Sequence, residues 1–195
     1  MFTTKAILGA IAVALTVTAF YPYLRGILAG TTRPHVFSWV TWGITTFIVF
    51  LAQLEGGGGI GSWPIGFSGI VTILIAVMAF RMRADISIHR WDWVFFILAI
   101  ASLPLWYLTS DPLWAVVVLT IVDLLGFGPT LRKAYHSPWS EAPSFYALFM
   151  ARNLVVVAAL EQYSLTTVLF PAAIAVACAL LIAVILLRRT ELVDD

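Results

Sequence analysis

Cysteine occurs once in the 195 residues, at Cys178, and asparagine once, at Asn153. A single cysteine within an apolar run excludes an intrachain disulfide and a cysteine-based metal cluster. Charge is scarce as well: 11% of residues are Asp, Glu, Lys or Arg, against about 25% in a soluble domain. With a net charge of +1 and no basic run, nothing is available to neutralise phosphates, so nucleic acid is excluded as a partner. Lysine is confined to Lys5 and Lys133, and neither can form a Schiff base in a seventh helix, which excludes a retinal protein. No segment alternates with period two, which argues against a membrane β-barrel. His35, His89 and His136 stand singly, without metal-ligand spacing, and read as solvated loop residues. Neither a nucleophile–base pair nor a metal set is visible, so no enzyme activity and no cofactor are expected.

What the chain does have is apolar length. Hydrophobic residues make up 62% of it, and its mean hydropathy is +0.99. A spanning helix needs about 17–25 mostly apolar residues. Seven such runs are readable, at about 4–22, 36–53, 61–80, 92–109, 112–131, 143–160 and 165–187. The expected class is an all-α integral membrane bundle with little mass outside the bilayer. Arg25 and Arg33 fall in the first connection, Arg81, Arg83 and Arg90 in the third, Arg132 and Lys133 in the fifth, and Arg188 and Arg189 after the last run. The second, fourth and sixth connections carry no Lys or Arg. That bias predicts an inner-membrane or plasma-membrane protein with its amino terminus outside and its carboxyl terminus cytoplasmic. Lys5 ahead of an apolar run, with Val17-Thr18-Ala19 after it, also fits a secretory signal. An internal repeat argues that the segment is retained.

Pro22-Tyr23-Leu24-Arg25 recurs as Pro129-Thr130-Leu131-Arg132, and Leu74-Ile75-Ala76-Val77 with Arg81 recurs as Leu181-Ile182-Ala183-Val184 with Arg188. Both pairs are offset by 107 residues. After a two-residue adjustment, Pro34 and Gln53 also find Pro143 and Gln162. The implied plan is a three-helix repeat over 1–86, a linker helix over 87–110, and a second three-helix repeat over 111–195. Parallel repeats of this kind accompany transporters with a midplane site at the repeat interface.

Over essentially the whole chain this layout resembles the SWEET sugar transporters and the wider PQ-loop (MtN3-like) superfamily. The resemblance is carried by Pro22 and the short polar connection to Ser38, echoed by Pro129 and the segment Ser137 to Ser144. It implies hinges at Pro22 and Pro129, which match prolines at the inner ends of the family's first and fifth helices. The glutamine of the name motif is Tyr23 and Thr130 here, and the second- and sixth-helix prolines of plant members fall at Trp42 and near Ala151. In place of the paired asparagines of the third and seventh helices stand Ser68, Thr72 and Cys178. The family's sugar site therefore does not carry over. PnuC-type vitamin transporters share the same three-plus-one-plus-three layout.

The candidate site comes from the few polar residues inside the spans. Asp123 and Arg152 are the ionisable pair well within them. Such groups usually face the bundle interior with a partner. Each lies nine residues from the cytoplasmic edge of its run, which is about 13 Å of helix. Equal depth on neighbouring helices predicts an ion pair or a water bridge, bordering a central cavity. That pair would either lock two helices or let Asp123 bind a proton, cation or hydroxyl with Arg152 tuning it. By the repeat, the first half has Thr16 and Gly43 at the corresponding places. Asn153 shares the depth and is read as a donor to a solute or as interhelical glue. Trp42, Thr46 and Gln53 share one helical face, flanked by Trp39 and Thr45, and Trp42 and Thr45 are read as lining the path. Trp63, Trp91, Trp93, Trp106, Trp114 and Trp139 read as an interfacial belt. Gly126 and Gly128, just before Pro129, are expected to loosen the inner end of the fifth helix as a gate. Gly26 and Gly30 read as a close-packing pair, and the run Gly56 to Gly59 as a flexible outer turn.

The functional expectation is a small-solute transporter rocking two triple-helix units about a midplane site, with the lipid bilayer as surroundings and further copies of itself as possible partners. The alternatives are a vitamin or nucleoside carrier of PnuC-like layout, and a ligand sensor or sorting receptor on the same fold, as in the KDEL receptors.

Overall fold

Seven helices account for nearly all of the computed structural model, which describes residues 2–30, 34–82, 88 and 90–194. They are α1 (Phe2–Leu28), α2 (Val36–Glu55), α3 (Trp63–Arg81), α4 (Arg90–Thr109), α5 (Pro112–His136), α6 (Pro143–Ala159) and α7 (Leu165–Asp194). Short 3-10 turns at Gly59–Ser62 and Pro138–Ser140 precede α3 and α6, and the described residues contain no β-strand element. Six helices are long and apolar enough to cross a bilayer, and α6 is a shorter apolar helix of 17 residues. This is an all-α membrane protein.

The helix starts follow local chemistry. Pro64, Pro112 and Pro143 sit in the first turns of α3, α5 and α6, where a missing N–H costs no helical bond. Asp111 Oδ1 accepts from the Leu113 amide at 2.9 Å and caps α5. Ser164 and Thr167 exchange side-chain-to-backbone bonds at the start of α7, at 3.0 and 3.3 Å. His35 is not a solvated loop residue: its Nδ1 bonds the Ser38 hydroxyl at 2.7 Å and its Nε2 lies 3.8 Å from Asp92, tying the start of α2 to α4. His136 closes α5 beside Tyr135, and His89 lies outside the described residues.

Helices α1, α5 and α7 run past the expected ends of their apolar runs, to Leu28, His136 and Asp194. Pro22 is therefore inside α1 and Pro129 inside α5. The extra turns protrude at the end of the bundle that carries Arg25, Arg81, Arg132 and Arg188, the basic end. There Arg189 donates to the carbonyls of Pro138 and Glu141, and Arg188 to that of Tyr135. These bonds tie α7 to the end of α5 and to the α5–α6 connection.

Packing places α2 along α3, α6 along α7, α1 against α6 and α3, and α5 against α2, α4 and α7. Small residues carry the contacts: Ala12, Ala19, Ala52, Ala79, Ala99, Ala115 and Ala159 are all buried, as expected where close backbone approach replaces the hydrophobic effect. Among glycines within the seven α-helices the tightest is Gly43, where a Cβ would stand 2.6 Å from Ile73 Cγ1 on α3. Peripheral α4 buries Ala99 and Ser102 and exposes much of the rest. The belt tryptophans Trp63, Trp91, Trp93, Trp114 and Trp139 are exposed, whereas Trp106 packs partly buried against the central cluster.

Candidate functional site

A cavity of about 280 Å³ runs inward from the basic end to mid-depth, bounded by every helix but α4. Its mouth is formed by the last turns of α1 and the first turns of α2 and α6, at Tyr23, Trp39, Phe145 and Tyr146. Its floor is formed by Ser68, Arg152, Asn153 and Phe170. Aromatic rings make a continuous wall. Tyr23 lies 4.9 Å from Trp39, Trp39 5.6 Å from Trp42, Phe20 5.6 Å from Phe149, and Phe149 4.9 Å from Phe145, centroid to centroid.

Asp123 and Arg152 both line this cavity, yet they form no ion pair. Arg152 is held by neutral groups: its Nε donates to Thr16 Oγ1 at 3.1 Å, one terminal nitrogen to Asn153 Oδ1 at 3.0 Å, and the other to the Pro64 carbonyl at 2.8 Å. The guanidinium thereby ties α6 to α1 and to the start of α3. Asp123 accepts one hydrogen bond, from Thr45 Oγ1 on α2 at a long 3.4 Å. The expected pairing fails because α5 and α6 do not pack along each other; α6 sits between α1 and α7, and α5 between α2, α4 and α7. Equal depth set the height of the two charges but not their azimuth.

The two bonds share a form. Thr16 stands 107 residues before Asp123 and Thr45 107 before Arg152, so each charged residue bonds the threonine that precedes the other by that offset.

The remaining candidates divide. Trp42 and Thr46 line the cavity, as do Ser68, Thr72 and Cys178. Thr45 is fully buried and touches Asp123 from behind the wall. Asn153 also lines the cavity, and its amide accepts from Arg152 and donates to the Phe149 carbonyl at 2.8 Å. Gln53 is buried away from the cavity and donates to the Thr167 carbonyl at 2.7 Å. Gly126 faces the Trp42 indole, whose Nε1 lies 3.7 Å from where a Cβ on Gly126 would be, and Gly128 meets open space. Helix α5 continues unbroken through both and through Pro129, whose side chain lies outside the described residues. The glycine pair therefore makes room and does not break the helix. Sequence reading missed the aromatics Phe20, Phe149 and Phe170, which look like ordinary spanning residues until the helices are assembled.

At the other end of the bundle two connections meet. The run Gly56 to Gly61 is no loose turn; it seats against the α6–α7 connection. A Cβ on Gly61 would strike the backbone of Ala159 and Leu160, and one on Gly59 the Glu161 carboxylate. Glu161 donates its amide to the Gly58 carbonyl at 3.1 Å and accepts from the Ile60 amide at 3.2 Å. Lys5 on α1 reaches the Ala158 carbonyl at 2.7 Å and the Tyr163 hydroxyl at 2.9 Å. Within this seam Gln53 Oε1 and Ser62 Oγ are buried without a hydrogen-bond partner. Among the described residues no group of three or more His, Cys, Asp or Glu could hold a metal ion.

In comparisons with family models, curated proteins and solved structures, none matches this chain.

Proposed function

We propose that this protein is a multi-pass carrier of a small polar solute, related in architecture to the SWEET and PQ-loop transporters, that exposes one mid-depth site alternately to the two sides of the membrane. The observation that carries the reading is the cavity itself: polar and charged at its floor, entered from the basic end, and blocked at the other end by a seam between two connections. A carrier caught in one of its two access states has this form.

The packing scheme supports two units of α1–α3 and α5–α7 with α4 as linker. Exchanging α1 with α5, α2 with α6 and α3 with α7 turns α2–α3 into α6–α7, α1–α3 into α5–α7, and α1–α6 into α5–α2, and all six contacts are present. In this reading Asp123 and Trp42 meet the solute, Arg152 and Asn153 hold the floor, and Thr45 supports Asp123. Pro22, Pro129, Gly126 and Gly128 serve the inner gate. The Lys/Arg bias makes the basic end cytoplasmic, so the cavity faces inward.

Proteoliposome counterflow with a panel of sugars, vitamins, amino acids and amines tests the proposal. Saturable flux of at least one solute is expected. A protein that binds a solute from the panel but accelerates no flux is a sensor or receptor, and the carrier reading then fails.

A further inference from the structure

Given the carrier reading, on which this inference rests, the cavity's hydrogen-bond inventory points to the charge of its solute. We infer that the cavity takes a small organic cation, a protonated amine or quaternary ammonium, whose head meets Asp123 while its apolar part lies on the aromatic wall. Several of the polar groups around the cavity are already committed within the protein, leaving single hydroxyls such as those of Thr46, Ser68 and Thr130 along its walls. Thr72 donates to the Ser68 carbonyl at 2.8 Å, Asn153 uses both ends of its amide within the protein, and Arg152 is tied by three bonds to neutral oxygens. Arg152 is also buried, while Asp123 is partly open to the cavity.

Of the two charged residues that line the cavity, Asp123 is the one left nearly free. Its carboxylate has one long bond and, among the described residues, no cation within ion-pair distance, although an ionisable group at this depth ordinarily finds a partner. Beside it stands the Trp42 indole, admitted by Gly126 one turn along α5, and Trp42 continues into Trp39. A carboxylate and an indole lining one cavity are the chemistry that holds an ammonium, by charge on one side and ring quadrupole on the other. A sphere of the cavity's volume is about 8 Å across, which suits an amine of a few heavy atoms. The exposed Arg25 and Arg132 at the basic end stand in solvent, where their charge is screened.

The test compares choline with its neutral carbon isostere 3,3-dimethyl-1-butanol, by titration calorimetry on the purified protein in nanodiscs. Choline should bind at least about tenfold more tightly than the isostere, a preference that desolvated cation–π contact and one carboxylate can supply. Asp123→Asn keeps the side-chain shape and should reduce that preference to about twofold or less, and Trp42→Leu should weaken choline while leaving the isostere unchanged. The wild-type comparison needs no variant, so it stands even if the substituted proteins fail to fold. Equal binding of the two probes, or no binding of choline, overturns the inference. Choline binding without flux removes the carrier and leaves the cation site. Flux of a neutral sugar with no choline preference does the reverse.

Discussion

Replacing Arg152 tests the arrangement most directly, because its guanidinium is buried without an acidic partner among the described residues and joins three helices. Arg152→Met removes three hydrogen bonds, to Thr16, Asn153 and the Pro64 carbonyl. Bonds to a charged group contribute about 1.5–3 kcal/mol each. Against that gross loss stands relief of a desolvation penalty of several kcal/mol. The net expectation is a destabilisation of about 2–4 kcal/mol. Arg152→Lys keeps the charge, but one ammonium cannot span three acceptors arranged around a planar fork, so it should lose a comparable amount. Because Asp123 shares no partner with Arg152, Asp123→Asn and Arg152→Met should add to within about 0.5 kcal/mol in the double variant. Denaturant unfolding in detergent micelles, followed by tryptophan fluorescence, reads the four variants against the wild type. A double variant that recovers more than about 1 kcal/mol would mean that the two charges do pair. A lysine variant as stable as the wild type would refute the three-way tie.

Further outcomes can be checked with simpler changes. Gly61→Val should open the glycine seam, because the added side chain collides with the Ala159–Leu160 backbone; a cysteine at Ser68 in a Cys178→Ser background should then react with a membrane-impermeant thiol reagent from both sides. Without that change it should react from the basic side alone, and labelling from both sides would disprove the seal. Ser62→Ala removes a buried hydroxyl that has no partner and should cost nothing or stabilise by up to about 1 kcal/mol; a loss larger than that in thermal unfolding would reveal a bonded group at Ser62. Cysteines at Tyr163 and His136, both exposed, should label from outside and from the cytoplasm respectively, and the converse pattern would invert the topology.

The spans were legible because they depend on composition along one dimension. Even so, α1, α5 and α7 outran their apolar segments, since a helix whose protruding turns find partners need not stop at the lipid edge. For α7 those partners are visible as Arg188 and Arg189 on carbonyls at the end of α5 and in the neighbouring connection. The presence of Asp123, Arg152 and Trp42 around one cavity was legible from depth and helical face. Their partners were not. Thr16 precedes Arg152 by 136 residues and Thr45 precedes Asp123 by 78, and nothing local in the sequence records which helix lies beside which. The glycine run misled for the same reason: its meaning resides in Leu160 and Glu161, about a hundred positions away, and not in its own flexibility. His35 was misread because its two partners, Ser38 and Asp92, become neighbours only when α2 caps and packs on α4.

The seam at the glycine end has a thermal consequence. Much of what meets there is main chain and short polar side chain: the Gly58 carbonyl, the amides of Ile60 and Glu161, and Gly61, whose missing Cβ lets two backbones touch. Parting such surfaces exposes more peptide than hydrocarbon. Peptide and hydrocarbon hydration change heat capacity with opposite signs, the apolar term being about +0.45 and the polar about −0.26 cal/K/mol per Å². The two contributions should nearly cancel here. Opening of this end would then have a nearly temperature-independent enthalpy, and a van't Hoff plot of seam accessibility should be a straight line where unfolding of the whole bundle curves.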